Sequence, residues 1–273
     1  MEAIQTDTSA AALARAVEAN DVAYWLYRAR RAGWDVHQEP GMLMFVSGLD
    51  RSHWQNAVIR TELTAAEADA RIAATVARFR SRGLPFTWVA GPAQQPTDLA
   101  ARLEAHGLTL YSDEPGMAAD LAALPDSLPL PQGLTIERVR DDAGALRLLV
   151  VNRIANDLDP DISGVAIERV TPGSYADDEP LQLYLGYLDG EAVACVQLFL
   201  SSGVAGIYNV GTVPSARRRG IGAAITTAAM RAARDRGYRV AVLGASEMGE
   251  PVYRRIGFAE YTRSVIYMWQ PED

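Results

Sequence analysis

The chain has 273 residues and a formal net charge of −8, with 34 acidic residues against 26 basic ones, every one of the latter an arginine. That balance argues against nucleic acid as a partner, and the lack of lysine excludes a Schiff base or a lysine nucleophile. With 49% apolar residues the chain can bury a packed core, yet no apolar run is long enough to span a bilayer, so no membrane partner is expected.

In the first half, residues 65–82 read as a helix ending at Gly83, residues 84–90 as a strand, and residues 97–105 as a short helix closed by His106-Gly107. A strand carrying Gly116-Met117-Ala118 follows. His37, His53 and His106 have no ligand partner at helical spacing, so no metal site is expected. The Pro-rich stretch from Leu124 to Gly133 reads as a linker. The expected organisation is a domain over 1–124, a linker over 125–133 and a second domain over 134–273.

The second half reads as a strand at 134–139, a helix at 141–156 with Asp141 or Asp142 near its cap, and a polar, loop-rich segment at 157–180. Residues 181–188 and 191–200 form a hairpin around Asp189-Gly190. Cys195, the single cysteine, lies mid-strand as a buried thiol. One cysteine makes no internal disulfide, and the N-terminal segment lacks the basic and apolar regions of a secretory signal, so a cytoplasmic protein is expected. The apolar run Ile207 to Pro214 then leads into Arg217-Arg218-Arg219-Gly220-Ile221-Gly222.

Strand, short glycine- and arginine-rich turn, then helix is an arrangement that binds anions. The first turn of a helix leaves backbone N–H groups unpaired, and the helix dipole adds positive charge there. Gly220 and Gly222 let a phosphate approach the backbone. Three arginines at a helix start oppose the dipole and are expected only where an anion joins them, although not all three need touch it. The Ala-rich helix at 223–236 ends at Gly237, residues 238–244 read as a buried strand, and a short helix at 250–256 is capped by Gly257. The run 262–269 is a last strand.

This order of elements resembles the GCN5-related N-acetyltransferase (GNAT) superfamily over roughly residues 133–273. Arg217-x-x-Gly220-x-Gly222 fits the family's acyl-CoA signature, and Ala245-Ser246 with Val252-Tyr253-Arg254-Arg255-Ile256-Gly257-Phe258 looks like its second signature. The resemblance implies an α/β (α+β) fold, a mixed, mostly antiparallel twisted sheet flanked by helices, with acetyl-CoA or another acyl-CoA as cosubstrate. It further implies that Arg217, Arg218, Arg219, Gly220, Ile221 and Gly222 hold the pyrophosphate. The pantetheine would lie along the preceding strand, beside Val210, Thr212 and Val213, with the Val210 N–H aimed at the thioester oxygen and Gly211 leaving room. Tyr253 would donate a proton to the leaving thiolate, or else pack on Phe258. Ser246 would bond the pantetheine, or else cap a turn.

The first half looks like a worn copy of the second, so two tandem copies are expected. Gly237 and Gly257 are 20 positions apart; Gly83 and Gly107 are 24 apart, with the excess at 92–96. Where the second copy has Gly220, the first has Ala66 in the acidic Thr64-Ala65-Ala66-Glu67, which would repel a pyrophosphate. The degenerate copy is expected to shape the acceptor site, or only to stabilise its partner.

The reaction expected is transfer of an acyl group, foremost acetyl, to a primary amine of a small molecule or peptide, by direct attack in a ternary complex. Longer acyl groups, carried on CoA or a carrier protein in secondary metabolism or self-resistance, are one alternative; a CoA-binding sensor without catalysis is another. Many family members place a Glu on the strand before the loop, whereas this chain has Tyr208-Asn209-Val210. A water relayed through Tyr208 or Asn209 would then serve as base, or a carboxylate among Asp157, Asp159, Asp161 and Glu168. Those acids, with Asp177, Asp178 and Glu179, would form an acidic rim that steers a cationic amine. The expected state is monomer or homodimer.

Overall fold

The computed structural model describes residues 3–48, 55–91, 93–125, 130–158 and 175–271. In chain order the first elements are α1 (Ala10–Arg31), β1 (Asp35–Glu39), β2 (Met42–Val46), β3 (Asn56–Thr61), α2 (Ala65–Arg80), β4 (Phe86–Val89), α3 (Leu99–Ala105) and β5 (Thr109–Asp120). There follow β6 (Leu134–Arg138), α4 (Asp142–Asn156), β7 (Leu181–Leu188), β8 (Glu191–Ser201) and β9 (Val204–Thr212). The last are α5 (Ile221–Arg234), β10 (Val240–Gly244), α6 (Glu250–Arg255) and β11 (Ala259–Trp269).

Two compact units result. A C-terminal unit takes residues 1–24 and 116–261, and an N-terminal unit takes 25–115 and 262–273. These boundaries differ from a cut at 125–133, and strand pairing gives the reason. The Gly116–Asp120 end of β5 pairs antiparallel with β10, whereas the Ile266–Trp269 end of β11 pairs antiparallel with β4. Each unit therefore includes a strand from the opposite half of the sequence.

In the N-terminal unit β1, β2 and β3 pair antiparallel, and β3 runs parallel to β4 through Ala57↔Thr87 and Val58↔Trp88. Ile72, Val76 and Phe79 of α2 bury against Phe86, Trp88 and Trp269, with Phe79 stacked on Phe86 at 4.2 Å. The acidic segment before α2 is a capping box: Thr64 Oγ1 donates to Glu67 Oε2 at 2.6 Å, and the Thr64 N–H donates to the same oxygen at 3.2 Å. A carboxylate thus sits at the helix start where the C-terminal unit has its arginine loop.

Beyond its two parallel rungs with β4, the end of β3 is occupied by the chain's own Gln94 and Gln95. The Gln95 N–H donates to Thr61 O at 2.8 Å, the Leu63 N–H to Gln95 O at 3.2 Å, and Gln94 Oε1 accepts from the Thr61 N–H. Gln94 and Gln95 belong to the excess residues that the repeat comparison picked out at 92–96.

The C-terminal unit repeats the plan. β6, β7, β8 and β9 pair antiparallel in sequence order, and β9 runs parallel to β10. Asp189 and Gly190 both take positive φ, 51° and 88°, the type I′ geometry that matches the twist of the β7–β8 hairpin. Helices cover both faces of this sheet. Gly211, whose Cβ position lies beside Cys195, meets Ala155 of α4, while Gly186, whose Cβ position lies beside Ala194, meets Ile225 of α5 on the opposite face. Leu13, Ala16 and Val17 of α1 pack with Val204, Val240 and Val242.

Candidate active site

After β9 the chain makes a short 3₁₀ turn, Pro214–Ala216, and enters α5 through a left-handed Gly220 (φ 77°). Arg218 is also left-handed, at φ 61°. The first intrahelical bond across the junction runs from the Ala224 N–H to Gly220 O, so the Ile221, Gly222 and Ala223 N–H groups have no intrahelical acceptor. A Cβ on Gly222 would meet nothing closer than Thr212 Oγ1 at 3.6 Å, which leaves open space over this first turn. Arg218 and Arg219 are exposed, and the Ile221 side chain is buried, so Ile221 offers only its backbone.

Arg217 is used differently. Its Nε donates to Thr212 O at 3.1 Å and its Nη2 to Ala155 O at 2.7 Å. The guanidinium thus ties the end of β9 to the last turn of α4, where carbonyls lack helical partners. Among the three arginines, Arg218 and Arg219 remain to face an anion with their side chains.

Beside the loop, the parallel strands part. β9 and β10 pair only through Ala205↔Ala241 and Gly206↔Val242, although β9 continues to Thr212 and β10 to Gly244. A bulge in β9 accompanies the split. Gln197 pairs with Tyr208 and Cys195 with Gly211, so Asn209 and Val210 together oppose Val196. Asn209 is left-handed there, at φ 48°. The Val213 N–H donates to Val193 O on β8 at 2.9 Å. Strand alternation then turns the backbone groups of Thr212 and Val210 to the opposite edge, toward the wedge. Val213 has its amide committed to β8, and Thr212 has its carbonyl committed to Arg217, which leaves the Val210 backbone as a donor and acceptor pair beside the Thr212 N–H. Gly211 does not line an acyl path: a Cβ there would lie 2.8 Å from Ala155 Cβ and 3.1 Å from Cys195 Sγ, so the glycine lets α4 approach. Cys195 is fully buried, and burial pushes its thiol up to about 12, which keeps it protonated and inert.

Tyr208 and Asn209 are brought together with three residues that the sequence motifs do not single out. The Tyr208 ring stacks on Tyr24 of α1 with centroids 3.7 Å apart. Tyr208 OH donates to Asn20 Oδ1 at 2.9 Å, and Asn20 Nδ2 donates to Ser201 O at 2.8 Å. Asn209 Nδ2 donates to Tyr24 OH at 2.9 Å, which donates in turn to Gln197 Oε1 at 2.8 Å. Burial, followed by the charge of Asp21, raises the Tyr208 phenol well above its ordinary value. Tyr208 therefore stays neutral and acts here as a hydrogen-bonded wall. Gln197 carried one sequence signal, a polar residue inside the apolar run Val193 to Leu200. Asn20 and Tyr24 carried none, because only the tertiary fold brings α1 to β9.

Tyr253 lies on α6, edge-on to Phe258 at 6.0 Å, and burial pushes its phenol up to about 12. Ser246 Oγ accepts from the Gly249 N–H at 3.2 Å, so it caps the turn that starts α6. Asp177 pairs with Arg138 and Arg140, and both hold its carboxyl below the usual range. Asp157 is the left-handed cap of α4. Asp159, Asp161 and Glu168 lie outside the described residues. Among the described residues no group of three or more His, Cys, Asp or Glu is arranged to hold a metal, and no helix is long and apolar enough to cross a membrane.

Residues 152–258 match the acetyltransferase (GNAT) family. The chain is 29% identical over 209 residues to a mycothiol acetyltransferase of Streptomyces avermitilis, across 72% of this chain and 64% of that protein, so less than two thirds of the relative is matched. A GCN5-related N-acetyltransferase from Kribbella flavida shares the fold with a TM-score of 0.68 at 21% identity, covering 93% of this chain and 96% of that one. A tandem GNAT protein from the clavulanic acid biosynthesis pathway shares it with a TM-score of 0.59 at 15% identity, covering 85% and 79%. The family match takes in the bulged β9, the arginine loop and Tyr253, so residues 152–258 carry the similarity to the acetyltransferase (GNAT) family.

Proposed function

We propose that the protein transfers an acetyl group from acetyl-CoA to a primary amine of a small molecule or peptide, in the C-terminal unit. One observation carries this reading: β9 leaves β10 after two rungs and runs directly into a glycine loop with free amides. The residues present fit acyl-CoA. The Ile221 to Ala223 amides, with Arg218 and Arg219 beside them, match a pyrophosphate. The Val210 backbone offers a donor to the thioester oxygen, where negative charge develops during attack. The similarity to a mycothiol acetyltransferase supports acetyl as the group transferred.

In the reaction the amine nitrogen attacks the thioester carbon, a C–N bond forms, the C–S bond breaks, and nitrogen gives up a proton to solvent while the departing thiolate takes one from solvent. The Val210 N–H stabilises the oxyanion. With its phenol at about 12, Tyr253 keeps its proton at neutral pH. Complete transfer from it to a thiolate whose acid has a pKa of about 8.5 is uphill, so Tyr253 acts as a hydrogen-bond donor to sulfur. With no acid on β9 and Tyr208 held neutral, a water against Asn209 relays the amine's proton to solvent. The single buried thiol accords with a cytoplasmic setting.

The same lack of a carboxylate on β9 favours one second reading, a CoA-binding module without turnover. Free-thiol release from acetyl-CoA with amines, aminoglycosides and peptides as acceptors, alongside calorimetric binding of CoA, separates the two. Turnover on one amine establishes transfer; tight CoA binding with no turnover on any acceptor overturns it in favour of the module.

A further inference from the structure

Asn209 is a non-glycine residue held left-handed in the middle of a strand, next to the Val210 amide that strand alternation turns into the wedge. Such a conformation persists where the surroundings over-determine it. Here they do so through α1. Tyr24, 2% exposed, takes the Asn209 side-chain amide on its hydroxyl and passes the bond to Gln197 Oε1, 3% exposed. The Tyr24 ring lies parallel to Tyr208, within 2°. Asn20, fully buried, fixes the Tyr208 hydroxyl and lies over Gly206, where a Cβ would come within 2.0 Å of Asn20 Oδ1. One helical turn of α1 thus grips β9 from Gly206 to Asn209, the first residue of the bulge, with Asn20 and Tyr24 four residues apart on one face. Gly206 is also the last β9 residue paired with β10. The grip therefore begins where the strands part and ends at the residue before Val210.

We infer that Tyr24, far from the family signatures in sequence, is a positioning residue for the transfer: its hydroxyl holds Asn209 in the bulge and so aims the Val210 amide into the wedge. This inference rests on the proposed acetyl transfer for its kinetic consequence only. The geometric consequence, that the Val210 amide changes environment when the hydroxyl is removed, stands without it. Tyr24→Phe keeps the stacked ring and removes the hydroxyl that bonds Asn209 and Gln197. The pyrophosphate loop lies beyond Val213 and does not touch this network, so CoA affinity is expected to stay within about twofold while kcat falls about tenfold or more, as for a misplaced oxyanion donor.

The test uses the full chain with acetyl-CoA and whichever panel amine it accepts, together with amide NMR spectra of protein labelled with ¹⁵N-valine. Expected are a fall in kcat with CoA Kd unchanged, a shifted Val210 resonance, and a Tyr24→Phe/Asn209→Ala double variant no worse than the poorer single one. Should Tyr24→Phe alone fail to fold, Tyr24→Phe with Gln197→Leu removes both partners of the buried bond and takes its place. Unchanged kcat overturns the role. So does an unmoved Val210 resonance, or a CoA Kd that rises in step with the loss of kcat. If the wild type turns over no amine, the transfer reading falls, and the Val210 resonance alone decides the role of Tyr24.

Discussion

Arg217 Nη2 lies 2.7 Å from Ala155 O, so the first arginine of the triplet braces the loop from within while the next two face outward. The three side chains are therefore separable by experiment. Arg217→Ala removes two charged hydrogen bonds from a half-buried site and is expected to lower stability by on the order of 2 kcal/mol, with a lower melting temperature. Arg217→Lys restores little, because a single ammonium cannot span both carbonyls as the planar fork does. Arg218→Ala with Arg219→Ala is expected to leave the melting temperature within about a degree and to weaken CoA binding, more so at low salt. Calorimetry beside thermal melts checks both. Equal losses of CoA affinity in the Arg217 and Arg218/Arg219 variants, with unchanged melts, would show that all three contact the anion.

Tyr253→Phe removes the hydroxyl and keeps the ring against Phe258. If the phenol supports the leaving sulfur, kcat falls by about 10²-fold and the KM for acetyl-CoA barely moves. The alkaline limb supplies a second check. The folded value of about 12 lies above the ordinary 10, so the neutral phenol is favoured in the folded state. The stability it contributes is complete below pH 10 and is lost as pH rises from 10 toward 12. Tyr253→Phe should therefore unfold less steeply with pH above 10 than the wild type. An identical alkaline profile in the two proteins would count against the burial of this hydroxyl.

Cys195 reports on the sheet. Its thiol is raised to about 12 by burial between β8, β9 and α4, so iodoacetamide is expected to label it only as fast as the C-terminal unit opens. Labelling rates should rise together with the unfolded fraction in urea. Rapid labelling of the native protein would show that α4 leaves β9 readily and that Gly211 does face an open path.

How far the sequence alone reached follows from which interactions are local. Turn chemistry at Asp189-Gly190, the Gly237 stop and the loop at Arg217 to Gly222 are local, and each falls where the pattern placed it. The exchange of β5 and β11 between units is non-local: both strands carry the right alternation, and nothing in a strand names its partner. Helix α1 carries no such local signal, since its apolar residues spread around the helix instead of forming one stripe, and the contribution of Asn20 and Tyr24 to the site is visible only in the fold. The role of Gly211 was misread because a glycine beside a ligand and a glycine beside a helix look alike in sequence.

The N-terminal unit gives a final test. In the N-terminal unit the edge of β3 is bonded to Gln94 and Gln95, and α2 starts at a capping box with Glu67 in place of arginine and glycine. Gln94 and Gln95 thus fill the place that the C-terminal unit leaves open, and a carboxylate stands where an anion would approach. One CoA per chain is therefore expected by calorimetry. Gln94→Ala removes the acceptor for the Thr61 amide and should destabilise the N-terminal unit by about 1 kcal/mol without raising that stoichiometry, because Glu67 still repels a pyrophosphate. Adding Glu67→Gln removes the charge but supplies no free amides, since Thr64 continues to cap the helix. A second CoA bound by the wild type, or gained on either substitution, would show that the N-terminal unit has a working site.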